Sequence, residues 1–180
     1  EATGSLVSLK DQTSVNVEFD YSNLKLLKEN LTEAEYIKNR TEDWNKKTPG
    51  VGDSWAKKWA GSKEMIWNPK FLELVNVVLF KEKKNIVFKE DNKSAKYTVE
   101  VKVDWIFPGW DVAIMKQPAK VTTTIRLVET ANRSNVLYSA KLNDAPGDQW
   151  GNNFSNESRI GEGFAKTGKT LAKLILKQIK

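Results

Sequence analysis

Neither cysteine nor histidine occurs anywhere in this chain. Without cysteine there is no thiol nucleophile, no disulfide and no thiolate metal site. The redox compartment is left open, because a thiol-free chain is indifferent to it. Without histidine there is no Ser-His-Asp triad, no imidazole-ligated zinc or haem, and no side chain that ordinarily titrates near neutrality. An enzyme built from this chain would have to work with carboxylates, lysines, tyrosines or hydroxyls. Arginine is scarce as well: Arg40, Arg126, Arg133 and Arg159 are the only ones, so the net charge of +6 rests mainly on lysine. A basic chain suits an acidic partner. Phosphate and base recognition favours arginine's planar fork, however, so nucleic acid is not the expected partner. No apolar run approaches the ~20 residues a transmembrane helix needs. The sequence starts at Glu1 with no basic-plus-apolar leader. The expectation is a removed leader or a cut chain, with any signal peptide or lipid-anchoring cysteine lying upstream of this sequence.

What is present is ordinary for a folded protein. The 180 residues are 39% hydrophobic and 29% charged, which predicts one domain over 1–180 with a core that needs no disulfide or metal. Residues 6–9 and 13–21 read as strand; in the second, Val15, Val17, Phe19 and Tyr21 alternate with polar residues. Thr32-Glu33-Ala34-Glu35 has the form of a capping box, and Tyr36, Ile37, Arg40 and Trp44 fall on the turns of the helix it would open. Pro49-Gly50 breaks the chain, and Asp53 or Ser54 can cap a helix carrying Trp55 and Trp59. Those two tryptophans read as core. Asn68-Pro69 has the form of another helix start, followed by the stripe Phe71, Leu72, Val75, Val78 and Leu79. The period then returns to two. Strands are predicted at Ile86–Phe88, at Tyr97–Trp105, through Val121, Thr123, Ile125 and Leu127, and through Val136, Tyr138, Ala140 and Leu142. Consecutive strands with short links predict an antiparallel meander. A polar loop over 143–156 and a helix over about 157–180 complete the chain.

The sharpest motif is Gly163-Phe164-Ala165-Lys166-Thr167-Gly168-Lys169-Thr170, a full match to the phosphate-loop pattern G-x-x-x-x-G-K-[ST]. That chemistry needs a strand before the loop and further sheet after it, and neither is legible here. A helix explains the same residues better. Ile160, Phe164, Leu171, Ile175 and Ile179 share one stripe, with Gly161, Ala165, Gly168 and Ala172 beside it for close packing on a sheet. Lys166, Lys169, Lys173, Lys177 and Lys180 fall opposite, in solvent. No nucleotide, metal or other cofactor is therefore expected. Asp144, Asp148, Trp150, Asn152 and Asn153 offer oxygen ligands in the polar loop, but their spacing fits no calcium loop.

Asp104-Trp105-Ile106-Phe107-Pro108-Gly109-Trp110-Asp111 is the candidate binding site. Pro-Gly marks a turn crowded by large aromatics. Trp105, Phe107 and Trp110 could offer rigid apolar faces to a protein or a sugar, or fold back onto the core. Trp105 would close an inward-facing row that begins at Tyr97, and the chain would leave the sheet at Ile106-Phe107 to bring Phe107 or Trp110 to the surface. Asp104 and Asp111 form a carboxylate pair that glycoside cleavage could use, with only their spacing to support it.

The segment Tyr97–Leu142, a long strand ending in an aromatic-Gly turn and then two strands with a tight link, resembles a group of bacterial envelope accessory domains. These are the curli-secretion lipoprotein, the outer-membrane activator of penicillin-binding proteins, and the amino-terminal domain of the Tol–Pal translocation protein. The small-residue C-terminal helix is similar to theirs, while the Trp-rich stretch 44–67 lies outside their pattern. The resemblance implies a binding or assembly part, not an enzyme. The expectation is an α+β fold in the order strand, helices, strands, C-terminal helix, with helices packed on a mostly antiparallel or mixed sheet. Its function is non-catalytic binding or assembly in the bacterial periplasm, at the outer membrane or in the secreted space, with a protein or envelope polymer as partner. The alternative is a small-ligand or carbohydrate binder using the aromatic turn.

Overall fold

A computed structural model of the chain describes residues 2–112, 115–147 and 155–180; of Val112 it describes the backbone only. The order is β1 (Ala2–Gly4), a 3-10 turn (Val7–Leu9), β2 (Ser14–Asp20), β3 (Lys25–Leu26), β4 (Leu31–Thr32), α1 (Glu33–Lys47), α2 (Val51–Ser62), a π-helical turn (Lys63–Trp67) and α3 (Asn68–Lys81). Then come β5 (Val87–Lys89), β6 (Tyr97–Phe107), β7 (Trp110–Val112), β8 (Met115–Gln117), β9 (Ala119–Glu129), β10 (Val136–Gly147) and α4 (Asn156–Gln178). The main sheet runs β1-β10-β9-β6-β2-β5. β6, β9 and β10 form the expected antiparallel meander, while β2 pairs parallel with both β6 and β5. The sheet is therefore mixed, and the fold is α+β.

All four helices contribute to a core on one face of this sheet. Val99, Val101, Val103, Val121, Ile125 and Leu127 meet Phe71, Val75, Phe164 and Leu171 there, all at or near zero exposure. The other face carries the polar half of each alternation. Glu18, Glu100, Arg126 and Arg133 form a chain of ion pairs across it, at 2.8 Å (Glu18–Arg133), 3.5 Å (Arg133–Glu100) and 3.2 Å (Glu100–Arg126). One buried and one polar face is the arrangement an antiparallel sheet allows.

Several local expectations are corrected. Residues 6–9 form a 3-10 turn instead of a strand: Leu6 and Leu9, three apart, are both buried, a spacing that suits three residues per turn. Neither Asp53 nor Ser54 caps α2. The helix begins after Gly50, at φ +82°, and Asn45 of α1 accepts from the Gly52 N–H (2.8 Å) and donates to Asp53 (3.2 Å). α3 starts at Asn68 with Pro69 in its first turn, as expected, but Asn68 does not cap it. The chain stays helical from Val51 to Lys81 through the π turn, whose last bond runs from the Asn68 N–H to the Lys63 carbonyl. Proline lacks an N–H and crowds the carbonyl four residues back, and a wider turn relieves that conflict. The capping box is present at the start of α1 as expected, with the Glu35 N–H on the Thr32 hydroxyl (3.2 Å) and the Thr32 N–H on the Glu35 carboxylate (2.8 Å). Finally, part of the expected polar loop over 143–156 is strand: β10 reaches Gly147 past an irregularity between Leu142 and Ala145. Asp148, Trp150, Asn152 and Asn153 lie outside the described residues.

The candidate phosphate loop falls wholly inside α4. The Thr167 and Thr170 hydroxyls bond back to the carbonyls of Gly163 and Lys166, both at 2.9 Å. Lys166, Lys169, Lys173 and Lys177 are exposed, and the apolar stripe is buried as expected. The small residues do more than meet the sheet. Gly163 faces it, with Val121 2.6 Å from where a Cβ would stand, but Gly168 lies against the backbone of Phe71 in α3. Close packing of α4 is thus divided between the sheet and α3.

Candidate functional site

β6 carries an irregularity that decides where the aromatic residues point. Val103 stands opposite Thr123, but Trp105 stands opposite Thr122, so one extra residue, Asp104, is inserted in β6. A bulge of this kind shifts every later side chain to the other face. Ile106 therefore enters the core, and Trp105 and Phe107 emerge on the open polar face. The expectation that Trp105 closes the inward row is corrected for this reason. The chain does not leave the sheet at Ile106-Phe107 either, since β6 pairs with β9 as far as Phe107 opposite Lys120.

After Phe107 the chain turns at Pro108-Gly109 into the β7–β8 hairpin. Gly109 has φ +69°, and a Cβ there would lie 2.7 Å from the backbone of Pro118 and Ala119. Only glycine fits this turn without strain. It places Trp110 against Phe107 edge-to-face, with centroids 5.7 Å apart, while Trp105 stacks on Phe107 at 6.2 Å and 13°. Phe107 is enclosed between the two tryptophans, 7% exposed, and stands outside the main core cluster. Trp105 is half-buried and donates its indole N–H to the Leu27 carbonyl at 2.7 Å. Trp110 is 44% exposed, and Met115, across the hairpin from Val112, is 63% exposed. The three predicted site residues thus come together in one cluster that sequence spacing placed only on a turn. Met115 belongs to the same exposed surface and was not singled out; a hairpin partner cannot be read from two isolated three-residue strands.

The two aspartates have separate engagements. Asp104 accepts from the Thr124 hydroxyl at 2.6 Å, and Asp111 pairs with Lys116 at 3.4 Å. Each is thus held by a neighbour on the sheet or hairpin. The other conspicuous tryptophans sit in the helical layer. Trp44, Trp55, Trp59, Trp67 and Phe164 form a continuous chain of ring contacts with centroids 5.0–6.0 Å apart, from the end of α1 to α4. Trp59 donates to Glu33 (2.9 Å), which also holds Lys63, and Trp67 donates to the Glu157 carbonyl (2.9 Å). Trp55 and Trp59 are core, as their helical spacing predicted. Among the described residues, no group of three or more acidic side chains could hold a metal ion, and no helix is long and apolar enough to cross a membrane.

Fold and site together describe an α+β domain whose sheet is covered by helices on one face and carries an aromatic cluster on the other. No protein-family model and no curated protein matches the chain. Among solved structures it is similar to the PelC dodecamer from Paraburkholderia phytofirmans, with 14% sequence identity and a TM-score of 0.38 over 96% of this chain and 95% of that one. A single-substitution variant of the same dodecamer, in another crystal form, gives 13% identity and the same TM-score over 96% of each chain. A likeness of that degree does not extend to function.

Proposed function

We propose that this chain is a non-catalytic binding or assembly domain of the bacterial envelope or secreted space. In this reading it docks a protein partner through the aromatic end of its open sheet face. The observation that carries the proposal is the Trp105–Phe107–Trp110 cluster. It is an apolar, partly exposed patch on a face that otherwise carries ion pairs and hydrogen-bonded polar residues. Apolar area set in a polar surface marks interaction sites, and tryptophan dominates the energy of such contacts. The resemblance of Tyr97–Leu142 and of the C-terminal helix to envelope accessory domains supports the same compartment and a non-enzymatic role. A protein is favoured over a sugar at this turn, because Phe107 is enclosed and the Trp105 N–H is already bonded. Trp110 is left as the one substantially exposed ring of the three. Nucleic acid is not favoured: Arg126 and Arg133 are paired with carboxylates, and Arg40 lies over tryptophan rings.

The test is a pair of measurements on Trp110→Ala. Capture from an envelope fraction of the source cells should lose its specific partner, or the partner's affinity should fall by about 2 kcal/mol, while the melting temperature holds. A collapsed melt would assign Trp110 to the fold. An unchanged melt with unchanged capture would remove the turn from the interface.

A further inference from the structure

Independently of that docking surface, we propose that the end of the molecule formed by the last turn of α3, the turn after it and β5 rests on an anionic phospholipid surface. Val77, Phe80 and Lys81 lie three and four residues apart and so share one side of α3. The core buries the opposite side, with Phe71, Val75 and Leu79. Phe80 is 81% exposed, Val87 48% and Val77 38%. With Lys81 and Lys84 these three line one groove. A second groove shares Lys84 and Ile86 with the first and adds Lys10 and Lys83.

Four lysines thus surround three exposed apolar side chains. Against them stand Asp11, on the second groove, and Glu82, in the turn between Lys81 and Lys83. Glu73 lies one turn farther back along the side of α3 that carries Val77, and marks where the basic end stops. Among the described residues none of the four lysines is in an ion pair. The Lys84 ammonium donates to the Ile179 carbonyl at 3.2 Å, which ties the end of α4 to this surface. The surplus of positive charge calls for an acidic partner.

Three observations favour a lipid surface over an acidic protein. The first is that the sheet edge here is closed to an added strand. The Val87 N–H bonds the Thr13 carbonyl of the chain leading into β2, so Phe88 turns its backbone groups outward. Asn76 of α3 takes both of them: its Oδ1 accepts from the Phe88 N–H (2.8 Å) and its Nδ2 donates to the Phe88 carbonyl (2.9 Å). A peptide therefore finds no free backbone pair on β5. The second is that Phe80 stands out from the surface instead of lining a closed pocket. A protruding ring beside long lysine stems suits the boundary between headgroups and acyl chains, where the ring inserts and the ammonium groups meet phosphates. The third is that no arginine lines either groove. Arginine's planar fork suits fixed, bidentate recognition, whereas lysine acts as a point charge towards headgroups that move.

The test is co-sedimentation of the whole chain with vesicles of phosphatidylcholine alone or mixed with phosphatidylglycerol. The chain should sediment with the mixed vesicles and not with phosphatidylcholine alone. Phe80→Ala should weaken the partition about tenfold, and Lys81→Gln with Lys83→Gln should weaken it roughly tenfold as well. Lys166→Gln with Lys169→Gln, which removes the same charge from α4, should leave it unchanged, and so should Trp110→Ala, which separates this surface from the aromatic cluster. Because the chain has no cysteine, Val77→Cys accepts a polarity-sensitive fluorophore at a single site, and its emission should shift to the blue on mixed vesicles. Absence of sedimentation with mixed vesicles, equal losses from the two lysine pairs, indifference to Phe80→Ala, or a label that does not shift would overturn the proposal. So would soluble polyglutamate bound as tightly as the vesicles, a result that would assign the surface to an acidic protein.

Discussion

Single residues decide the most about this molecule where the backbone leaves no room. Gly168 sits where a Cβ would collide with the Phe71 backbone, so Gly168→Ala should destabilise by about 1–3 kcal/mol through overpacking. Lys169, one residue on, is exposed, and Lys169→Leu should stay within about 0.5 kcal/mol of the parent. Urea denaturation of the two variants checks this; equal losses would mean the face of α4 is misassigned. The small-residue row of α4 could be read from the sequence, but not its neighbour, because spacing shows which residues share a face and not what covers that face. Trp105 makes the same point in the sheet. Alternation from Tyr97 puts it in the core. Asp104, an inserted residue with nothing unusual in its type, turns it to the other side. A bulge is a property of the strand pair, since it appears only when Val103 and Trp105 are set against Thr123 and Thr122.

Elements were legible where local chemistry alone determines them. The capping box at Thr32 is one case, and Thr32→Ala should lower stability by about 1 kcal/mol in a denaturant titration. The helix after Gly50 is the opposite case, because its cap comes from Asn45 of the preceding helix and no spacing rule reaches it. The start signal at Asn68-Pro69 does mark the beginning of α3, but the π turn before it takes the place of the expected Asn68 cap. α4 illustrates a motif overruled by its element. The phosphate-loop pattern lies in continuous helix, so its amides are used internally and cannot curl around a phosphate. A calorimetric titration with magnesium-ATP should give no saturable heat, whereas micromolar binding abolished by Lys169→Ala would contradict that. On the open sheet face, hydrogen bonding and the charge of Arg133 hold the Glu18 carboxyl below its usual range. A depressed folded-state pKa adds stability above the unfolded carboxylate range and loses it as pH falls through the folded value. Glu18→Gln should therefore destabilise at pH 7 by no more than about 1 kcal/mol, as exposed pairs do, and the difference should shrink as the pH falls through the folded-state value. A gap that widens on acidification would refute the pairing.

At the scale of the whole molecule, the helices and the sheet perform different tasks. The helical layer fills one face with aliphatic residues and a chain of aromatic contacts. The other face carries ion pairs, hydrogen-bonded polar residues and one aromatic cluster. The meander and the C-terminal helix were readable from periodicity. Which sheet face stays open, and that Trp105, Phe107 and Trp110 converge on it, was not, because both depend on register and on helices packing from one side only. The central claim is that the aromatic cluster serves a partner and not the fold. The most direct measurement is the thermal melt of Trp110→Ala paired with capture from the native envelope fraction. The account predicts a melting temperature close to the parent's and loss of the specifically captured partner. A melt lowered by as much as removal of a buried core aromatic, or a captured set identical to the parent's, would contradict it.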